Sequence, residues 1–474
     1  MEVVSNTSKK SGRELKGRKG KRRKGMSPED KPILEANASG IDIGAREMYV
    51  AVPPDRDPTP VRIFDTFTQD LGELADWLMR CGVETVAMES TGVYWIPLYE
   101  MLEQRGLKVC LVNARHMKNV PGRRTDWHEC QWLQYLHSVG LLRAAFRPED
   151  EVCAVRALMR HRHELVTMAS QHVQHMQKAL TQMNVQIHHV IDDLTGMTGT
   201  AIMDAILAGE RNPVKLSELR DPRIKADVET IRKSLLGNWR KEHLFTLKQS
   251  RQMYGNYKAQ IEECDREIET LLSRFEPRVD PEDKPLPPDQ KRKQSKESKS
   301  NAASNFDFRT EGYKLFGVDL TQVPGLRTMV LPLFTELGRD MSQWGSAAQF
   351  TSWLGLCPDN DISGGRVLWK GTRKTKNRAA QLFRLAAHSL SRSDSPLASF
   401  LRRMKSKLGP AAATTATARK IAVLFYTMVK TQTEYNETLA ANLDAQRQAN
   451  LEKKLQRQAK RLGFQLVPLE NSTS

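Results

Sequence analysis

Residues 40–52, GIDIGAREMYVAV, decide how the first third of this chain folds. GIDIG and EMYVAV are short apolar runs, read as two strands with a turn between them. VRIFDTFT at 61–68 reads as a third strand, and LGELADWLMRCG at 71–82 as an amphipathic helix closed by Gly82. VETVAME at 83–89 is a buried strand, IPLYEMLEQRG at 96–106 a helix, and LKVCLVN at 107–113 a further strand.

Three strands followed by alternating helices and strands is the order of an α/β ribonuclease-H-like (RuvC-like) domain, placed at 40–150. A Rossmann nucleotide fold would open β-α-β instead. Four carboxylates stand at telling places along this pattern. Asp42 lies in the first strand beside small residues that let a phosphate come close. Glu89 ends a buried strand, where an unpaired carboxylate is costly and wants a cation, a hydrogen bond or solvent. Asp126 and Glu129, in GRRTDWHEC, are three residues apart at the start of a helix and share one face. Each acid alone is an ordinary strand-end or helix-start residue. Their order is more specific, and it can gather hard oxygen ligands around a divalent cation.

The chain has 474 residues, enough for two or three domains, and a net charge of +17 that favours a polyanionic partner. No apolar run is long enough to cross a bilayer, and the N-terminus lacks the apolar core of a signal peptide. The six cysteines form no CxxC pair, so neither a disulfide framework nor a cysteine zinc site is expected. A cytoplasmic protein is the expectation. Residues 1–39 read as a disordered basic arm binding phosphates without sequence preference, with Met26 as an alternative start.

Residues 151–275 are expected to be helical. Met159, Val166, Val173, Leu180 and Ile187 recur every seven residues, flanked by Val155, Ala169, Met176, Met183 and Val190. Tyr254, Tyr257, Ile261, Cys264, Ile268 and Leu271 repeat the spacing. An antiparallel coiled-coil arm or dimer, and two helices packed within one domain, fit equally. His172, His175, His188 and His189 lack the further ligands zinc requires and read as helix-face residues. A flexible linker is expected at 276–310, a mainly α domain at 311–435 and a polar helical tail at 436–474. The turn in VPGLRT could offer backbone N–H groups to a phosphate.

The second chemical feature is Ser363, in CPDNDISGGRVLWKGTRKTKNR. It is read in a polar loop, where Gly364 and Gly365 allow close approach to a phosphate or left-handed backbone. Arg366, Lys370, Arg373, Lys374, Lys376 and Arg378 place positive charge beside the hydroxyl, and Arg123 and Arg124 do so beside the acids. No histidine lies nearby in sequence, so a protease-like triad has no local support. The residues alone leave open a turn serine in a DNA-binding loop or a nucleophile with electrostatic assistance.

GIDIG, MESTGVYW, VNARHMKNVPGRRTDWHECQWL, VPGLRT, FTSWLGLCPDNDISGG and TARKIAVLFYTMVK, in this order, resemble the DEDD transposases of bacterial insertion sequences, the IS110/IS1111 family. The resemblance spans most of residues 40–435. It implies an enzyme that excises and inserts its element by DNA cleavage and rejoining, guided by a structured noncoding bridge RNA. It implies Asp42, Glu89, Asp126 and Glu129 as ligands of Mg2+, with Mn2+ as a substitute, and Ser363 as the nucleophile forming a phosphoserine link to DNA. Double-stranded DNA at element ends and target, the RNA, and further copies in a dimer or tetramer are the implied partners. One subunit's serine would complete another's acidic site, in bacterial cytoplasm at the nucleoid. The fourth acid of the family is typically Asp, and Glu129 departs from it by one methylene. A shift of about an ångström could cost on the order of 100-fold in rate. Two other readings compete: a RuvC-like nuclease using activated water, and a non-catalytic nucleic-acid-binding protein of domesticated origin.

Overall fold

The computed structural model describes residues 31–90, 92–112, 125–289, 307–436, 455–461 and 463–464. Arg123, Arg124, most of the basic arm, the second half of the expected linker and most of the tail lie outside the described residues. The chain forms two compact units, divided between Arg147 and Pro148.

The first unit runs β1 (Ala38–Ile43), β2 (Glu47–Ala51), β3 (Val61–Asp65), α1 (Thr68–Arg80), β4 (Thr85–Glu89), α2 (Ile96–Gln104), β5 (Lys108–Val112) and α3 (Asp126–Ser138). The strand order is β3-β2-β1-β4-β5. β1, β2 and β3 form an antiparallel meander, while β4 and β5 run parallel to β1. A mixed five-stranded sheet of this order is consistent with the ribonuclease-H-like expectation.

Strand alternation sorts the side chains onto two faces. Ile41, Ile43, Met48, Val50, Val86, Met88 and Leu111 enter a core with Leu71, Leu74, Trp77 and Leu78 of α1 and Leu98 and Leu102 of α2. Gly40 and Asp42 alternate with that set and so share the other face. There Ala51, Ala87 and Val112 receive Cys130 and Leu133 of α3. The helix lies close because residue 40 has no side chain. A Cβ there would stand 2.2 Å from the Gln134 backbone nitrogen and 2.4 Å from the Cys130 carbonyl. Hydrogen bonds fix the same register: Gln134 Nε2 donates to the Ala38 carbonyl at 3.1 Å, and Thr85 Oγ1 meets His137 Nε2 at 2.8 Å.

The second unit opens with α4 (Asp150–Gln182), continues through short helices α5 (Met197–Leu207), α6 (Pro213–Glu218) and α7 (Val228–Ser234), and reaches α8 (Lys241–Leu272). The long helices α4 and α8 pack against each other. Buried Arg162 donates to buried Asp265 across them, through Nε at 2.5 Å and Nη2 at 3.2 Å. Both helices lie within the second compact unit. The heptad series also overruns its helix. α4 ends at Gln182, Asn184 takes a left-handed φ of 58°, and Ile187 falls in a short 3-10 turn, Ile187–His189. The helical region expected at 151–275 is thus two long helices with three short ones and a 3-10 turn between them.

The rest of this unit is α9 (Phe308–Phe316), α10 (Val330–Leu337), α11 (Ala347–Trp353), a hairpin of β6 (Asp361–Ser363) and β7 (Arg366–Trp369), α12 (Arg378–Ser389), α13 (Pro396–Leu408) and α14 (Pro410–Thr431). Phe316, Phe334, Phe350, Phe383 and Phe425 form its buried aromatic centre. The flexible linker expected at 276–310 differs in its described part. Residues 276–289 are irregular but tied down: Arg278 N donates to the Lys314 carbonyl at 2.8 Å, and Arg327 pairs with Asp289 at 3.2 Å. Gly325 of the VPGLRT turn has φ +90°, and a Cβ on it would lie 2.4 Å from the Ala386 carbonyl. Packing against α12 therefore accounts for the glycine without a phosphate.

Candidate active site

The α3 face of the sheet carries the acids. Asp42 lies on it by alternation from Gly40, and Glu89 by alternation from Ala87 at the end of β4. Ser90 anchors that strand end beside β5, its backbone N–H and its hydroxyl both donating to the Val112 carbonyl, at 2.9 and 3.1 Å. α3 brings the remaining pair. Thr125 caps its start, with Oγ1 accepting from the His128 N–H at 3.4 Å and lying 2.6 Å from His128 Nδ1. Glu129 precedes Cys130, the residue pressed against Gly40, so the close packing at Gly40 sets how near Glu129 comes to the sheet.

Carboxylate oxygens of Asp42, Glu89 and Glu129 all lie within 4.8 Å of one another, and each residue is half-buried. Asp126 is exposed and is not part of this group of three. Its charge is nevertheless felt there. The Asp42 carboxyl is pushed from 3.8 up to about 6, first by burial, then by the negative charges of Glu129, Asp126 and Glu89. Hard oxygen donors converging under mutual repulsion fit a divalent cation, whose charge would offset both causes. The residues present therefore suit Mg2+ or Mn2+.

Tyr49 is a neighbour the sequence did not single out. It is the cross-strand partner of Asp42, and its hydroxyl donates to Glu47 at 3.0 Å. That hydrogen bond, then partial burial and the charges of Glu47, Asp126 and Asp42, raise the phenol above its ordinary value. Gly40 was also missed, although glycine inside a strand is a recognised sign of close backbone approach.

Ser363 lies at the end of β6, in a hairpin where a polar loop was expected. Gly364 and Gly365 have φ of +56° and +78°, the two positive values of a tight primed turn. They allow left-handed backbone, as anticipated, and the hairpin is the reason. Register pairs Ser363 with Arg366, so the two side chains share a face. Lys370, Lys374, Lys376 and Arg378 are exposed around the hairpin. Arg373 is partly committed, donating to the Ser352 and Trp353 carbonyls at 3.1 and 3.2 Å.

His172 stacks on Tyr257 at 5.5 Å and makes an edge contact with His175, while His188 lies against His189. Burial and the neighbouring imidazole lower both His172 and His188. Among the described residues these histidines join no group of three ligands. No described helix is long and apolar enough to cross a membrane.

The sheet order is consistent with a ribonuclease-H-like domain, and the converging acids make a candidate divalent-cation centre on it. Residues 39–185 match the DEDD transposase family of IS110 elements, and residues 319–402 match the transposase IS116/IS110/IS902 family. The chain belongs to the IS110 family of transposases, DNA-cleaving enzymes of insertion sequences. No curated protein matches it.

Proposed function

We propose that this transposase excises and inserts its element by attack of Ser363 on a DNA phosphodiester, at a site completed by Asp42, Glu89, Asp126 and Glu129. The observation that carries the reading is the convergence of Asp42, Glu89 and Glu129 in a chain of this family. A bound Mg2+ would supply positive charge to the non-bridging oxygens of the reacting phosphate.

The protein's own groups do the rest. The Ser363 oxygen forms the new bond to phosphorus, and the bond from phosphorus to one deoxyribose oxygen breaks. That oxygen takes a proton from solvent, and the serine proton is released to solvent. Arg366, on the same ribbon face, holds the phosphate against the hydroxyl. Exposed Lys370, Lys374, Lys376 and Arg378 bind flanking backbone, with Arg123 and Arg124 serving the acidic half. The reading includes a bridge RNA as guide and assembly into dimers or tetramers in which one copy's serine meets another's acids. The family resemblance supports both, and the +17 charge is compatible with binding two nucleic acids.

The test is a denaturing-gel assay with purified protein, Mg2+, RNA transcribed from the element's flank and labelled junction DNA. A protein–DNA adduct that disappears in Ser363→Ala and in Asp42→Ala is expected. Cleaved DNA without an adduct would overturn the serine step and leave a nuclease that activates water.

A further inference from the structure

The hairpin that carries Ser363 also carries an apolar surface that the strand-transfer chemistry does not require. Every residue from 358 to 370 is exposed. Ile362 retains 59% of its surface, Val367 43%, Leu368 66% and Trp369 45%. Four large apolar side chains are thus left exposed on one short ribbon, the kind of surface that receives a partner.

The ribbon's geometry is specific. Ile362 pairs with Val367, one position from the Ser363–Arg366 pair, so the apolar pair and the hydroxyl–guanidinium pair occupy opposite faces. A bulge follows at Leu368, between the levels of Ile362 and Asp361. The root is braced, with Asp359 N donating to the Gly371 carbonyl at 2.8 Å and Pro358 bridging Thr372. The Trp369 indole lies over Gly371, where a Cβ would meet its ring carbons at 2.6 Å. The indole is therefore held in place while much of it remains open.

Charge identifies the occupant. Residues 358–378 contain six Lys or Arg and two Asp. A second copy of this basic ribbon would be repelled, whereas a polyanion with apolar faces of its own is attracted. Nucleic acid is such a polyanion, since its bases offer π-faces once they leave the stack.

We propose that the ribbon inserts into nucleic acid at an opened step, with Ile362 and Val367 on one face contacting an unstacked base. Trp369, paired with Asp361 on the face of Ser363 and Arg366, stacks on a neighbouring base beside the backbone that Arg366 meets. This rests on the reading of Ser363 as the attacking group, which locates the opened step. One residue along a strand is about 3.4 Å, the same as one nucleotide step. The unstacked base accordingly lies one or two steps from the phosphate that Ser363 meets.

The experiment uses full-length Ser363→Ala protein at saturating concentration with the flanking RNA. Junction duplexes carry a single 2-aminopurine tiled across successive positions. A fluorescence rise confined to one or two steps beside the cleaved phosphate is expected. It should be lost in Trp369→Ala and in the Ile362→Ser/Val367→Ser double variant, with binding weakened about 10-fold. Arg366→Gln should weaken binding and flatten its salt dependence yet keep the fluorescence rise. No rise at any position would overturn the proposal. So would a rise that survives both apolar changes, or apolar variants that alter only the sedimentation mass, which would assign the patch to a second copy. Permanganate reactivity of thymines with the unaltered ribbon gives the same readout where a variant misfolds. Because the fluorescence needs no covalent step, a missing adduct with a preserved rise would sink the serine chemistry alone.

Discussion

The acidic centre and the serine ribbon are built in opposite ways. Asp42 and Glu89 stand on strands packed from both faces and Glu129 on the helix that covers one of those faces, all three half-buried. The ribbon is exposed along its whole length, and its local order comes from a two-residue turn and a few hydrogen bonds at its root. A two-stranded hairpin alone is marginally stable in water. The difference teaches that one half of the proposed site is preformed, while the other is presented for a partner to complete.

Glycine substitution breaks the comparison most sharply. Gly40→Ala places a Cβ 2.2 Å from the Gln134 nitrogen, so α3 must move off the sheet and carry Asp126 and Glu129 with it. A loss of several kcal/mol of stability, about 2–4, and of divalent-cation binding is expected by thermal melting and calorimetry. Gly364→Ala meets no atom within 4 Å, so only its φ of +56° is strained. It should cost about 1–2 kcal/mol locally and leave the melting of both units unchanged. Equal melting losses for the two would erase the distinction.

Glu129→Asp comes next in size. Although the family's fourth acid is usually Asp, Glu129 already brings its carboxylate within 4.8 Å of Asp42 and Glu89. Shortening it should lower the strand-cleavage rate by about 10- to 100-fold at fixed Mg2+. A faster variant would show that the spacing here is set for Asp.

The third effect is pH dependence. Cation binding requires ionised Asp42, so affinity should fall about tenfold per pH unit below about 6. Stability without the cation runs the other way. With a folded value of about 6 against an ordinary 3.8, the contribution of Asp42 is complete below about 3.8 and lost as pH rises through 6. The smallest effect follows from that sign. Asp42→Asn should stabilise the cation-free protein at pH 8 by about 1–2 kcal/mol, after discounting for solvent screening. Destabilisation on melting would mean that the Asp42 charge is compensated within the protein.

The five-stranded domain was legible because its strands and helices announce themselves by period and by order. Asp42 and Glu89 were legible through the order strand acid, strand-end acid and helical pair, since each alone is ordinary for its place. The sequence did not distinguish Glu129, which joins the cluster, from Asp126, which stays exposed. That difference depends on how α3 is rotated over Gly40, a tertiary fact. The hairpin was hidden because DISGGRVLW is short and lies in a strongly charged stretch, where polarity outweighed the glycine-pair turn signal. The end of α4 was hidden because apolar spacing continues past Asn184 after the backbone has already turned.

The pairing of Arg162 with Asp265 bears on how α4 and α8 behave mechanically. A 33-residue helix measures about 50 Å, long enough for a seam of apolar side chains to tolerate slippage. One buried ion pair does not tolerate it, because a slip of a single turn would strand both charges at a cost of about 3–5 kcal/mol. The two helices thus form a keyed strut. Inserting one residue into either helix between its ends would throw the key out of its slot before it disturbed the grease around it.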